Sequence, residues 1–413
     1  MKFILDRLEQ GEVLVADGAM GTMIQKYKLE EKDFRGERFV NNFPEQKGNN
    51  DLLSLTKPEI IKEIHSQFLE AEADKLLENT IGKTLFTSDD PQVISDSKFI
   101  ITVIGTPVDE HLNPEFTLMK NFIKNLLPYF KDGQYFILRS TVFPGTTEKI
   151  STFLKNNGKK IYVTFCPERI AQGKAIEELI NLPQIVSGFE DEAVKEVSKL
   201  FKILTKDIII LKPIEAELAK LFTNTWRYIQ FAIANQLYTI STSCGLDFYK
   251  IYDAMKYKYP RAMDFPSAGF AAGPCLFKDT MQIASFDNNK FFLGHAAMLI
   301  NEGLPNFLVQ ILKEKYSLQD KAVGILGMAF KANIDDKRES LSYKLKKILE
   351  IEAGKVLCSD EYINEEGFVA ANELIKNSDI IILGAPHKEY KDLIIEDKIL
   401  VDVWNFYRKG GLF

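Results

Sequence analysis

Four short runs of β-branched and aromatic residues mark the middle of the chain, at 99–104, 134–138, 161–165 and 208–211. Each is largely apolar, as a strand buried on both faces would be. Polar, helix-like stretches separate them, which predicts a parallel α/β sheet. From Pro213 to about Ala254 the period changes. Apolar residues recur at Leu218, Leu221, Phe222, Ile229, Ala232 and Ile233, the spacing of one long helix or two. Four further apolar runs, at 321–330, 356–360, 380–383 and 399–403, predict a second α/β unit.

Composition sharpens this by exclusion. A chain of 413 residues predicts two or three domains. Its 46% hydrophobic and 27% charged residues are those of an ordinary globular protein. A net charge of −6 argues against a nucleic-acid surface. The longest apolar runs are of strand length, so no membrane span is expected. The four cysteines, Cys166, Cys244, Cys275 and Cys358, lie far apart, and no pair has metal-ligand spacing. With no signal peptide in view, they point to a reducing cytoplasm and to no metal.

Candidate chemistry concentrates at residues 269–280. Gly269-Phe270-Ala271-Ala272-Gly273 leads into Pro274-Cys275, with Lys278 and Asp279 close behind. Small residues let a substrate approach the sulfur, and the lysine favours its nucleophilic thiolate form. A buried cysteine in a tight turn is the plainer reading of the same residues. Lys220 and Asn224 are four apart and share one helix face. Gly324-x-x-Gly327 is a common strand-to-helix turn and is weak as a cofactor fingerprint.

Six motifs occur in one order along the chain. They are residues 103–108 (Val-Ile-Gly-Thr-Pro-Val), 139–147 (Arg-Ser-Thr-Val-Phe-Pro-Gly-Thr-Thr), 166–169 (Cys-Pro-Glu-Arg), 217–224 (Glu-Leu-Ala-Lys-Leu-Phe-Thr-Asn), the cysteine turn, and 327–331 with 335–340. In these the chain from about residue 73, and most plainly from Ser97, resembles the nucleotide-sugar 6-dehydrogenases, the UDP-glucose, GDP-mannose and UDP-N-acetylmannosamine dehydrogenase family. The resemblance implies an α/β fold of two Rossmann-like parallel-sheet domains joined by a long central helix. The implied divisions are 73–211 for the rest of an NAD-binding domain, 212–310 for a helical dimerisation and catalytic region, and 311–413 for a UDP-sugar domain.

The family oxidises a nucleotide-sugar C6 alcohol to a carboxylate with two NAD+, through a cysteine thiohemiacetal and thioester. By resemblance Cys275 is the nucleophile. Lys220 and Asn224 form the oxyanion site, with Asp279 arranging water and Lys220. Glu168 is the general base, and Thr141 helps to hold the water. The family's second glutamate is replaced here by Gln172. Gly105, Thr106, Pro107, Ser140, Thr141 and Lys278 would touch NAD. Arg169, Arg261, Gly273, Lys331 and Arg338 would meet the UDP-sugar, Arg261 from across a homodimer. The four histidines match no catalytic position. The residues around Glu168 and Cys275 look most like the UDP-N-acetylhexosamine branch, with UDP-N-acetylmannosamine or UDP-N-acetylglucosamine as substrate and polysaccharide precursors as product.

The first quarter reads differently. No Gly-x-Gly-x-x-Gly dinucleotide turn occurs near the start. Residues 11–23, 35–39 and 48–58 instead resemble the opening of the homocysteine-binding barrel of cobalamin-dependent methionine synthase. Residues 1–72 are far short of the roughly 250 that such a barrel needs, and they contain no cysteine for its zinc. Sequence therefore predicts a chimera with its seam between Phe68 and Thr84. Three functions stay open: a working dehydrogenase, a nucleotide-sugar binder impaired in NAD binding, and, against the cysteine pattern, a homocysteine or methyl-transfer protein.

Overall fold

The computed structural model describes residues 90–106, 116–171 and 175–409, with positions 32, 33, 36, 57, 59 and 60. Almost all of segment 1–72, the seam, Pro107 and Gln172 lie outside the described residues. The chain divides into two compact units, with the boundary between Lys220 and Leu221.

In the first unit, β1 (Phe99–Thr102), β2 (Tyr135–Leu138), β3 (Tyr162–Phe165), β4 (Gln184–Gly188) and β5 (Ile208–Leu211) lie side by side in that order. β1, β2 and β3 run parallel, with Phe99, Tyr135 and Tyr162 in register. Their rings stack along the sheet with centroids 5.1 Å apart at each step. Side chains alternate between two cores, which is why the apolar runs are continuous. Phe99 and Ile137 pack with Val197 and Phe201 on one face. Ile100, Phe136 and Leu138 pack with Ile123, Ile150 and Leu154 on the other.

One detail departs from expectation. β4, which the apolar pattern did not single out, runs antiparallel to β3, so the sheet is mixed. The pair is short, and the Ser187 hydroxyl reinforces it by donating to the Phe165 carbonyl at 2.7 Å. Helix α1 (Thr146–Asn156) follows β2.

Helix α2 (Pro213–Ser243) begins before the unit boundary and ends after it. The second unit continues with α3 (Phe248–Lys256), α4 (Leu276–Phe286) and α5 (Phe292–Lys315). Asp247 caps α3, its side chain accepting from the Tyr249 amide at 2.9 Å. Next come β6 (Ala322–Leu326), α6 (Leu341–Glu352), β7 (Lys355–Ser359), β8 (Ile380–Leu383) and β9 (Ile399–Val401). These strands form a wholly parallel sheet in the order β7-β6-β8-β9. Val323, Ile325 and Ile382 share a core with Tyr238, Phe248 and Leu308 of the helices. Leu326, Ile381 and Leu383 face a second core around Leu374 and Tyr390. Both α/β units, with a long helix between them in sequence, match the expected fold class.

Candidate active site

In the first unit the loops at the carboxyl ends of β1 and β2 meet, the place where open α/β sheets bind ligands. The Ser140 hydroxyl donates to the Ile104 carbonyl at 2.6 Å, and the Thr106 hydroxyl donates to the Thr141 carbonyl at 2.5 Å. Gly105 lies exposed between them, and a Cβ added there would meet nothing within 4 Å. Packing does not demand glycine here, and the open space suits a ligand approaching the backbone.

Glu168 follows β3 in a fixed setting. It forms an ion pair with Arg139, and its other oxygen accepts the amides of Arg169 at 2.7 Å and Ile170 at 3.1 Å. Arg139 is buried and also donates to the Cys166 carbonyl and the Gln184 side chain, each at 3.0 Å. Burial pushes Arg139 down to about 10. The expected base is thus a half-buried carboxylate held in place by an arginine that sequence reading quoted but gave no role. The Arg169 guanidinium, expected to meet the sugar, donates to the Pro183 carbonyl, and burial pushes it down as well.

The second unit carries the cysteine. Cys275 is exposed and stands at the N-cap of α4, where the positive end of the helix favours an anionic sulfur. Cys166 and Cys358 are buried thiols, pushed up by burial to about 12 and about 11. One turn into α4, the Asp279 amide donates to the Cys275 carbonyl at 2.9 Å. Asp279 is 1% exposed, and the Asn224 amide group donates to its Oδ2 at 2.6 Å. Lys278 Nζ lies 3.5 Å from Oδ1, which has no hydrogen-bond partner among the described residues. Asn224, Lys278, Asp279 and Cys275 therefore come together, with one N–H of the Asn224 amide given to Asp279. Lys220 lies one turn before Asn224 on α2.

Two further features frame the cysteine turn. Asn235, wholly buried on α2, grips Gly269: it donates to the carbonyl at 3.0 Å and accepts from the amide at 2.9 Å. Gly273 touches the loop after β6 that bears Lys331 and Arg338. Both of those side chains are exposed, and Arg338 forks onto the buried Asp336, Nη2 to Oδ2 at 2.6 Å and Nε to Oδ1 at 3.0 Å. Arg261 is exposed on a short helical turn, 5.8 Å from the Tyr259 ring centroid.

The turn after β6 is closed to an outside anion. Asp360, at the end of β7, accepts the Met328 amide at 2.6 Å and the Ala329 amide at 2.9 Å. Buried His387 Nε2 lies 3.0 Å from the same carboxylate, and its Nδ1 accepts the Asn333 amide at 2.8 Å. Sequence reading missed the positioning roles of Arg139, Asn235, Asp360 and His387. The first lay inside a quoted motif, and the others gave no spacing signal.

Comparisons with known proteins follow the same division. Models of the UDP-glucose/GDP-mannose dehydrogenase family match residues 55–205 (NAD binding domain), 214–302 (central domain) and 324–409 (UDP binding domain). A UDP-N-acetyl-D-mannosamine dehydrogenase of Methanococcus vannielii is 30% identical over 313 residues, 70% of this chain and 71% of its own.

The chain belongs to the UDP-glucose/GDP-mannose dehydrogenase family.

The enzyme of the same name from Methanocaldococcus jannaschii is 28% identical over 308 residues, covering 71% of each chain. The solved structure of the Pyrococcus horikoshii UDP-D-ManNAc dehydrogenase superposes with a TM-score of 0.70 at 26% identity, covering 81% of this chain and 78% of that one. The chain is accordingly an NAD-dependent nucleotide-sugar oxidoreductase with a UDP-binding domain. The expectation of a methionine-synthase-like first segment is not borne out. The NAD-binding match begins at residue 55, inside the stretch assigned to it. Among the described residues no helix is long and apolar enough to cross a membrane.

Proposed function

We propose that the enzyme oxidises the C6 alcohol of UDP-N-acetylmannosamine to the uronic acid, supplying a polysaccharide precursor. The curated relatives with that activity in their names support the choice of sugar. The observation that carries the chemistry is Cys275, exposed at the N-terminal end of α4, with the buried Asn224–Asp279 pair one turn along.

Bound NAD+ supplies a hydride acceptor. Gly105, Thr106, Ser140, Thr141 and Lys278 would hold it, and the open space at Gly105 fits that use. Lys220 and Asn224 polarise the substrate oxygen as the C6 alcohol loses a hydride and a proton to become an aldehyde. The Cys275 thiolate adds to the aldehyde carbon, giving a thiohemiacetal. Loss of a second hydride and proton gives the thioester. Water, held by Thr141 and Asp279 and deprotonated by Glu168, breaks the carbon–sulfur bond and regenerates the thiolate. The ion pair with Arg139 holds the Glu168 carboxylate oriented for that step. Lys331, Arg338 and Arg169 hold the UDP-sugar, with Gly273 beside it.

The active form is a homodimer. Phe222, Trp226, Ile233 and Ile240 form an exposed apolar stripe along α2, and Leu293 and Leu299 of α5 are exposed as well. An apolar groove of about 210 Å³ runs between Ile229, Ile233, Leu293 and Ile300. Contiguous exposed apolar surface of this kind marks an interaction face. Arg261 would then reach the partner's site.

Initial rates of NADH formation with UDP-N-acetylmannosamine, UDP-N-acetylglucosamine and UDP-glucose test the substrate. The first should give the highest kcat/KM. A preference for UDP-glucose would overturn the assignment.

A further inference from the structure

Gly269 opens the turn that leads to Cys275, and both of its backbone polar groups end on one side chain. Asn235 Nδ2 donates to the Gly269 carbonyl at 3.0 Å, and Asn235 Oδ1 accepts the Gly269 amide at 2.9 Å. The same Nδ2 also donates to Asn301 Oδ1 at 2.9 Å, and Asn301 Nδ2 donates to the Tyr228 carbonyl at 3.0 Å. Asn235 on α2 and Asn301 on α5 are both wholly buried. The bonds run in one direction. The Gly269 peptide dictates which way the Asn235 amide faces, and that in turn decides which atom Asn301 presents to it. A buried chain linked at each step holds its members more firmly than any single pair would.

The indole of Trp404 closes the other side. A Cβ on Gly269 would lie 2.3 Å from its ring, so the close approach requires glycine. Trp404 stands in the loop after β9, and its Nε1 donates at 3.2 Å to the carbonyl of Gly384, just past the end of β8. Gly269 is thus held between the helices α2 and α5 on one side and the carboxyl ends of β8 and β9 on the other. Phe270, Ala271 and Gly273 stay buried, and the chain emerges at exposed Cys275. The sulfur is carried by a short segment whose start cannot shift without breaking the asparagine chain.

We propose that Asn301 and Trp404 are positioning residues for Cys275: acting through Asn235 and Gly269, they hold the sulfur where it captures the aldehyde before the aldehyde can leave. This rests on the reading above that Cys275 is the nucleophile. The alcohol first loses one hydride to NAD+ and one proton, which leaves an aldehyde with no covalent tie to the protein. Capture forms the carbon–sulfur bond, moves the carbonyl electron pair to oxygen, and puts a proton on that oxygen. It needs the sulfur in line with the aldehyde carbon, and a misplacement of about 1 Å can cost on the order of 100-fold. The clamp on Gly269 therefore acts on the second oxidation and not on the first. With the clamp loosened, the enzyme still makes NADH but loses aldehyde.

NADH, uronic acid and free aldehyde trapped by semicarbazide, quantified for the full-length parent and variants, test the clamp. The parent should give two NADH for each acid and almost no trapped aldehyde. Asn301→Ala should raise the NADH-to-acid ratio clearly above two, with trapped aldehyde accounting for the excess, and leave KM for the nucleotide-sugar near the parent value. Trp404→Ala should do the same, and Trp404→Phe, which restores a ring against Gly269, should bring the ratio back towards two. A ratio of two in both alanine variants would overturn the proposal, even with a lowered Tm, since the contacts would then be structural only. A second measurement needs no turnover. Iodoacetamide reacts with thiolate, and Cys275 is already exposed, so loosening its turn adds no access but takes the sulfur from the positive end of α4. Alkylation at Cys275, resolved by peptide mass spectrometry, should therefore slow several-fold in Asn301→Ala, with exposed Cys244 as the unchanged reference. If the parent is inactive with every nucleotide-sugar, the proposed function fails, and this rate alone decides the clamp. An unchanged Cys275 rate would overturn it, as would an equal change at Cys244.

Discussion

Glu217 closes on Thr147: its Oε1 accepts the Thr147 amide at 2.8 Å and the Thr147 hydroxyl at 2.6 Å. Its Oε2 accepts the Gly145 amide at 2.6 Å. Two family motifs distant in sequence are thereby locked together at the N-terminus of α1. Such a terminus is a ready anion site, and here the chain's own carboxylate fills it. Burial pushes the Glu217 carboxyl up, against the pull of its Thr147 and Gly145 hydrogen bonds.

Removing that carboxylate should destabilise the first unit. Glu217→Ala leaves the buried Thr147 amide and the part-buried Gly145 amide without a partner, at up to about 1–3 kcal/mol each. A lower Tm and a lower urea midpoint are expected, with Glu217→Gln falling between. An unchanged midpoint for Glu217→Ala would show that the contact contributes nothing.

Acid should loosen the second unit through Asp360. Burial alone would push its carboxyl up, but the His387 hydrogen bond and the amides of Ala329 and Tyr362 outweigh burial and hold it below the ordinary 3.8. A depressed carboxyl contributes stability that is fully present above the unfolded value and lost as pH falls through the folded one. Asp360→Asn should be less stable at neutral pH and should show a shallower loss of stability below about pH 4. Parallel pH curves for the parent and the variant would contradict this.

NAD+ should bind weakly. The sequence contains no Gly-x-Gly-x-x-Gly turn. A charge-assisted contact of the kind such a turn makes to a pyrophosphate is worth about 1.5–3 kcal/mol. Calorimetry should find NAD+ affinity well short of micromolar, with UDP still bound. Micromolar NAD+ affinity would contradict this.

Assembly is checked by sedimentation. The parent should be a dimer at micromolar concentration, and Trp226→Glu, a charge set in the apolar stripe of α2, should be a monomer. A parent that sediments only as monomer counts against the dimer.

Much of this was legible in the sequence where local pattern fixes structure. Continuous apolar runs marked β1, β2 and β3 because both faces of those strands are buried. The period change at Pro213 marked α2, and the glycine turn marked Cys275. Other features were not legible because they are made by distant residues meeting. β4 carries Gln184 and Ser187 within its five residues, which hid it from a search for apolar runs. Nothing local tells that Arg139 pairs with Glu168, or that Asp360 fills the turn after β6. The resemblance of residues 11–23, 35–39 and 48–58 to a barrel misled, since the NAD-binding match begins at residue 55, inside that segment.

The most direct test uses purified chain, UDP-N-acetylmannosamine and NAD+ at millimolar excess, with NADH and uronic acid both quantified for the parent and for Cys275→Ser. The parent should release two NADH for each acid formed, one for each hydride removed. Cys275→Ser should form no acid while still binding the nucleotide-sugar, because a serine hydroxyl is a far weaker nucleophile than a thiolate. Acid production by Cys275→Ser at the parent rate would contradict the covalent route. A parent that makes no NADH from any UDP-N-acetylhexosamine would contradict the proposed activity itself.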